Sequence, residues 1–185
     1  MKEKIVLGVA GMPGAGKAAI RSMIKEMGYA AVIMGNEIRK EARRRGLKPT
    51  PENLGMIMLK LREDKGPAVV AERCIPEVKK AKAEVIVVDG VRSLSEVELF
   101  KRCFPNFFLI AIHTSPKKRF KRLFRRRRSD DPKNWHTFIQ RDSRELDVGL
   151  GSVIASADYI IVNDGTISQL RRKVSEVLKD VIKNE

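Results

Sequence analysis

This chain of 185 residues predicts an α/β fold, a five-stranded parallel sheet with helices on both faces. Three observations carry that prediction. Short apolar runs alternate with amphipathic helical stretches along the whole sequence. The strongest run, "EVIVVDG" (84–90), is apolar without alternation, as a strand buried on both faces should be. A glycine-rich turn, "GMPGAGKAA" (11–19), follows the first run and opens the first helix.

The elements follow in order. "KIVLGVA" (4–10) reads as a central strand. Ile20, Met23, Ile24 and Met27 recur at helical spacing, and Gly28 stops that helix. "AAVIMG" (30–35) is a second strand, and "NEIRKEARRRG" (36–46) is a basic helix. Thr50 and Pro51 predict the cap and first position of a helix running to about Lys65. "GPAVVAERCIPEVKKAK" (66–82) predicts a helix interrupted or kinked at Pro76. After the strand at 84–90, Ser93 begins a helix to about Cys103, and "NFFLIAIHT" (106–114) is the fourth strand. Pro116 starts a very basic helix, and Asp131-Pro132 predicts the N-cap and first position of the next. "ADYIIVNDG" (157–165) is the last strand, before a terminal helix. No repeat or linker divides the chain, so residues 1–185 are expected to form one domain.

Composition narrows the function classes. The formal net charge is +15, which points to polyanionic ligands: nucleotides, nucleic acid or an acidic surface. The two cysteines, Cys74 and Cys103, lie in apolar helical patterns and are expected to be buried free thiols. Two histidines make a zinc site a poor expectation. The first apolar run is too short for a signal peptide, and no stretch approaches a membrane span. A cytoplasmic protein is expected.

Three constellations carry chemistry. In the turn, Gly11, Met12, Pro13, Gly14, Ala15, Gly16, Lys17 and Ala18 form a G-x-x-x-x-G-K phosphate loop. Backbone N–H groups and the positive end of the following helix would cradle phosphate oxygens, with Lys17 reaching the β- and γ-phosphates. Ala18 stands where such loops carry a Ser or Thr hydroxyl for Mg²⁺. Asp89 ends the strand 84–89, where parallel sheets place ligands, and is the expected Mg²⁺ carboxylate. The stretch 117–128 holds nine Lys or Arg and no acid, and Arg119, Arg122 and Arg126 share a helical face. Cations so arranged suit phosphoryl transfer; Phe120, Phe124 and Trp135 among them are expected to pack rather than to stack bases.

With these residues assembled, the sequence resembles the P-loop nucleoside and nucleotide kinases, and within them an archaeal family related to adenylate kinase and dephospho-coenzyme A kinase. "GMPGAGK" is similar to the phosphate loop of these kinases, "GNEIR" (35–39) to their G-D-x-x-R segment, and "DGVR" (89–92) to their D-G-x-P-R, one residue shorter. "KRLFRRRRSDD" followed by Arg141 resembles their short lid, and "ADYIIVNDGTISQL" the end of dephospho-coenzyme A kinases. The resemblance implies a three-layer P-loop kinase fold with a helical acceptor-binding segment at 35–66 and a lid at 117–146. It implies ATP and Mg²⁺ as cofactors, and Arg39 and Arg92 as ligands of the acceptor's phosphate. It casts Lys17, Arg122, Arg126, Arg128 and Arg141 as the catalytic cations, and sets Asn163, Asp164 and Gly165 beside the adenine.

The expected activity is transfer of the γ-phosphoryl group of ATP to a nucleoside monophosphate or similar small phosphorylated acceptor. A hydroxyl acceptor, as in dephospho-coenzyme A, would need a carboxylate base, for which Glu37 is the nearest residue in sequence. Ala18 raises a second reading, a nucleotide-binding regulatory protein with little turnover. The basic stretches 39–48 and 117–128 raise a third, nucleic-acid binding.

Overall fold

In the computed structural model, residues 4–128 and 130–183 are described. Ser129, inside the expected lid, and the ends of the 1–185 range lie outside them. The chain runs β1 (Ile5–Ala10), α1 (Lys17–Glu26), β2 (Ala30–Ile33), α2 (Gly35–Arg44), α3 (Pro51–Lys65), α4 (Val69–Lys80) and β3 (Val85–Asp89). It continues through α5 (Leu94–Cys103), β4 (Phe107–His113), α6 (Pro116–Arg126), α7 (Trp135–Asp147), α8 (Leu150–Ala155), β5 (Tyr159–Val162) and α9 (Ile167–Lys183).

The five strands form one sheet in the order β2-β3-β1-β4-β5, and every pairing is parallel. The glycine-rich turn therefore leaves the carboxyl end of the central strand, where open parallel sheets bind ligands. The register sets Val9 beside Asp89 and Ile33 beside Asp89, so the turn, Asp89 and the start of α2 emerge along one edge.

Alternation along β1 divides the core. Ile5, Leu7 and Val9 face a layer built by Ile20, Met23 and Ile24 of α1 and Leu170, Val174, Leu178 and Val181 of α9. Val6 and Ala10 face the opposite layer, which α2, α3, α4, α5 and α8 supply. Each large apolar side chain so buried contributes roughly 1.5–3 kcal/mol.

Two expectations are corrected. Of the two outcomes expected at Pro76, interruption does not occur: α4 continues through Pro76, because Pro76 removes one backbone donor while Val70, Cys74 and Val78 stay buried against the sheet. The helix after the basic stretch begins at Trp135, capped by Asn134, whose side chain accepts from the Thr137 N–H at 2.9 Å. Asp131 is not its cap: its carboxylate accepts from Arg126 at 2.9 Å and from the Arg128 N–H at 2.9 Å. Of the cysteines, Cys74 is buried, and burial pushes its thiol up to about 12; Cys103 is only half-buried. The short helix α8, "LGSVIA", had no sequence signal, since six residues are too few to show a period.

Candidate functional site

The loop 11–16 is shaped by glycine. Gly14 has φ 83°, and a Cβ there would stand 2.7 Å from the Arg119 carbonyl oxygen. Gly16, the N-cap of α1, has φ 112° and offers no side chain to the helix end. The first turn of α1 carries no acid, so its positive end faces the cavity without a built-in anion. Lys17 bends over the loop and donates to the carbonyl oxygens of Gly11 and, at 3.4 Å, Met12. Burial pushes its ammonium down to about 8, against the raising effect of Asp89.

The loop is braced from behind. Asn163 is buried; its Nδ2 donates to the Ala15 oxygen at 2.8 Å. Thr114 Oγ1 donates to the same oxygen at 3.1 Å. Arg122 donates to the Ala15 oxygen at 3.3 Å and to the Asn163 oxygen at 2.9 Å. Arg119 is buried, donates to the Pro13 oxygen at 3.2 Å and grips the Asp142 carboxylate with both terminal nitrogens. Its guanidinium also lies 5.0 Å from the centre of the Phe138 ring. Of the three aromatics expected to pack, Phe120 contacts both Phe124 and Trp135, with Phe138 joining Phe120 and Trp135 at centroid distances of 5.0–5.5 Å, while Phe124 and Trp135 keep one side exposed.

A cavity of about 710 Å³ opens in front of the loop. Gly14, Gly16, Lys17, Ala18, Asp89, Arg122, Arg126 and Arg128 line it, with Arg39, Arg92 and Arg141 on the far side. A smaller adjoining cavity of about 100 Å³ shares Arg39, Arg92 and Arg141 and adds Arg144, Glu145 and an apolar wall of Ile38, Leu54 and Met58. Helix α2 thus presents Arg39, the β3–α5 turn Arg92, and α7 Arg141.

Carboxylates hold these arginines. Arg92 Nε donates to Glu145 at 2.7 Å, and its backbone N–H donates to Glu96 at 2.7 Å. Burial would push the Glu145 carboxyl up, but Arg92, Arg141 and Lys17 together hold it below its ordinary value. Asp130 takes Arg141 at 3.4 Å and lies 3.7 Å from Arg39. Arg126 is held by Asp131.

The structure thus gathers the loop residues, Asp89 and the six arginines expected of the site. It does not gather all of the expected set. Asn163 touches the loop from behind instead of a cavity; Asp164 and Gly165 are exposed, outside the cavity lining, with Asp164 3.5 Å from Lys118. The reason is local: strand β5 stops at Val162, and the buried Asn163 amide is spent on Ala15. Glu37 lines neither cavity and pairs with Lys40 at 2.6 Å, the i+3 position of its own helix. Sequence reasoning missed Arg21, Asp130 and Glu145. Arg21 had a legible signal, since it stands four positions after Lys17 on the same helical face.

The expected magnesium set is incomplete. Ala18 lines the cavity and offers no oxygen. Asp89 accepts from Arg21 through Oδ2, while its Oδ1 is buried with no hydrogen-bond partner. Among the described residues no group of three His, Cys, Asp or Glu side chains could hold a metal ion. The residues present therefore do not fit a metal held between a loop hydroxyl and a strand-end carboxylate.

Comparison with known proteins agrees with this geometry. Residues 10–138 match the AAA domain family. A UPF0200 protein of Pyrococcus horikoshii is 43% identical over 185 residues, covering 97% of this chain and 99% of that protein. Among solved structures, the shikimate kinase of Acinetobacter baumannii in complex with shikimate superposes with TM-score 0.61 at 15% identity, covering 98% and 95% of the two chains. A gluconokinase of Sinorhizobium meliloti gives TM-score 0.58 at 14% identity, covering 100% and 97%. No helix among the described residues is long and apolar enough to cross a membrane. The fold is that of the P-loop kinases, and the chain belongs to the UPF0200 family.

Proposed function

We propose that this protein is an ATP-dependent phosphotransferase acting on a small phosphorylated acceptor such as a nucleoside monophosphate. The observation that carries this reading is convergence: Lys17 and the arginines of α2, the β3–α5 turn, α6 and α7 line one cavity in front of one phosphate loop. ATP would lay its phosphates on Gly11–Ala18, against the open end of α1. The acceptor's phosphate would meet Arg39, Arg92 and Arg141, which also line the smaller cavity beyond. Ile38, Leu54 and Met58 would pack the acceptor's apolar body.

The chemistry asks little covalent work of the protein. Lys17, Arg122 and Arg126 would neutralise charge on the transferring group, and Arg92 and Arg141 would hold donor and acceptor in line. An acceptor phosphate is already a nucleophile near neutral pH, so no strong base is required. Shikimate kinase and gluconokinase, by their names, act on other acceptors, and they support the transfer class rather than the acceptor.

The test is an acceptor panel. Nucleoside monophosphates, dephospho-coenzyme A, shikimate and gluconate are each incubated with ATP, and ADP formation is followed. A nucleoside monophosphate should raise ADP formation at least about tenfold over ATP alone. Turnover confined to hydroxyl acceptors would overturn the phosphate-acceptor half of the reading. Tight ATP binding without ADP formation on any member would favour the nucleotide-binding regulatory reading that Ala18 raises.

A further inference from the structure

We propose that Arg21 is a built-in cation of the phosphate site, standing where other phosphate loops depend on a divalent metal, so that the protein binds ATP without Mg²⁺. The inference rests on the reading of Gly11–Ala18 as the nucleotide site.

The argument begins at Ala18. With no hydroxyl there, the loop cannot hold a metal directly. One helical turn on, Arg21 lies on the same face of α1 as Lys17 and Ala18 and lines the same cavity. Its guanidinium pairs with Asp89, the strand-end carboxylate that would be the metal's protein partner. The pair faces the cavity: the Arg21 side chain is 23% exposed and that of Asp89 only 6%. A guanidinium carries five N–H donors in a planar fork. Asp89 Oδ2 engages one terminal nitrogen, and other donors remain for phosphate oxygens.

Charge balance agrees. Eight cationic side chains and two carboxylates line the cavity. Arg39, Arg92 and Arg141, with Asp130 and Glu145, belong to the acceptor wall; the five remaining cations, less Asp89 and Asp131, leave a surplus of three positive charges beside the loop. A nucleoside triphosphate brings about four negative charges. The side chains alone can therefore neutralise most of the nucleotide's charge, and an added divalent cation would meet a site already positive. The Asp89 carboxylate thus serves two cations of the cavity: it pairs with Arg21, and its charge favours the protonated form of Lys17.

The test is calorimetric titration of ATP into the full chain, once in EDTA and once in excess Mg²⁺, for the wild type and Arg21→Gln. The wild-type Kd should agree within about threefold between the two conditions. Arg21→Gln should bind at least about tenfold more weakly in EDTA and recover most of that loss in Mg²⁺, because the freed Asp89 can then take the ion. Should Arg21→Gln fail to fold, the charge-balanced double variant Arg21→Gln/Asp89→Asn replaces it, with the same loss in EDTA and no rescue by Mg²⁺. Wild-type binding that tightens more than about threefold with Mg²⁺, or an Arg21→Gln response to Mg²⁺ equal to the wild type's, overturns the proposal and leaves the phosphotransferase reading standing. Absence of ATP binding in both conditions overturns both.

Discussion

The two walls of the cavity are held in different ways. The loop wall is fixed by neutral acceptors and buried pins: Arg122, Thr114 and Asn163 all converge on the Ala15 carbonyl, and Arg119 ties Pro13 to Asp142. The acceptor wall is fixed by carboxylates, with Glu145 on Arg92 and Asp130 near Arg39 and Arg141. A carbonyl behind the loop does not compete with a phosphate in front of it. A carboxylate on an arginine does. The loop backbone is therefore built before ligand arrives, while the acceptor arginines, like Arg21 on Asp89 and Arg126 on Asp131 beside the loop, must exchange one anion for another.

The comparison can be broken at each wall. The largest effect is expected behind the loop. Arg119→Ala leaves Asp142 buried without its partner and should cost about 3–5 kcal/mol of stability, read by denaturant or thermal unfolding. A loss under about 1 kcal/mol would show that the pin is not what holds the loop.

Next comes the loop's own charge. Lys17 in the free protein is pushed down to about 8 from 10.5, and a bound phosphate raises it again. Binding above that value must take up a proton, so ATP affinity should fall about tenfold between pH 7 and pH 9. A flat profile would contradict the cause assigned to Lys17. The same sign makes the unliganded protein gain stability as pH rises from about 8 to 10.5.

On the acceptor wall the sign reverses. Asp130→Asn removes the anion that competes for Arg39 and Arg141, and should tighten binding of a nucleoside monophosphate by about three- to tenfold. Weaker binding would mean that Asp130 positions the arginines rather than masks them. Smallest of all, Glu37→Gln should leave ATP turnover within about twofold, because Glu37 faces Lys40 and not the cavity.

Most of the fold was legible because the signals were local. Thr50-Pro51 and Ser93 marked helix starts that the structure keeps, with Glu96 completing the cap at Ser93. The inner strands β1, β3 and β4 showed as unalternating apolar runs because both faces of the sheet are covered there, whereas edge strand β5 leaves Ile160 and Val162 exposed. The failures were contests between partners. Asp131-Pro132 had the residues of a cap, but Arg126 and the Arg128 N–H claimed the carboxylate. Pro76 had the residue of a helix break, but the buried face of α4 outweighed one lost hydrogen bond. In the site, motif residues were legible and their counter-charges were not. Lys17, Asp89 and Arg92 stand where their motifs put them, whereas Glu145 is 53 positions from the Arg92 it holds. Asn163 was expected beside the adenine, and only the side-chain contact to Ala15 reveals its bracing role behind the loop.

The central claim is that Gly11–Ala18 and Lys17 form an ATP phosphate site. Titration of ATP into the wild type and Lys17→Met tests it most directly, because the substitution keeps the length of the side chain and removes its charge. Saturable binding by the wild type, weakened about thirtyfold or more in Lys17→Met, is the predicted result. Equal affinity in the two proteins would contradict the account.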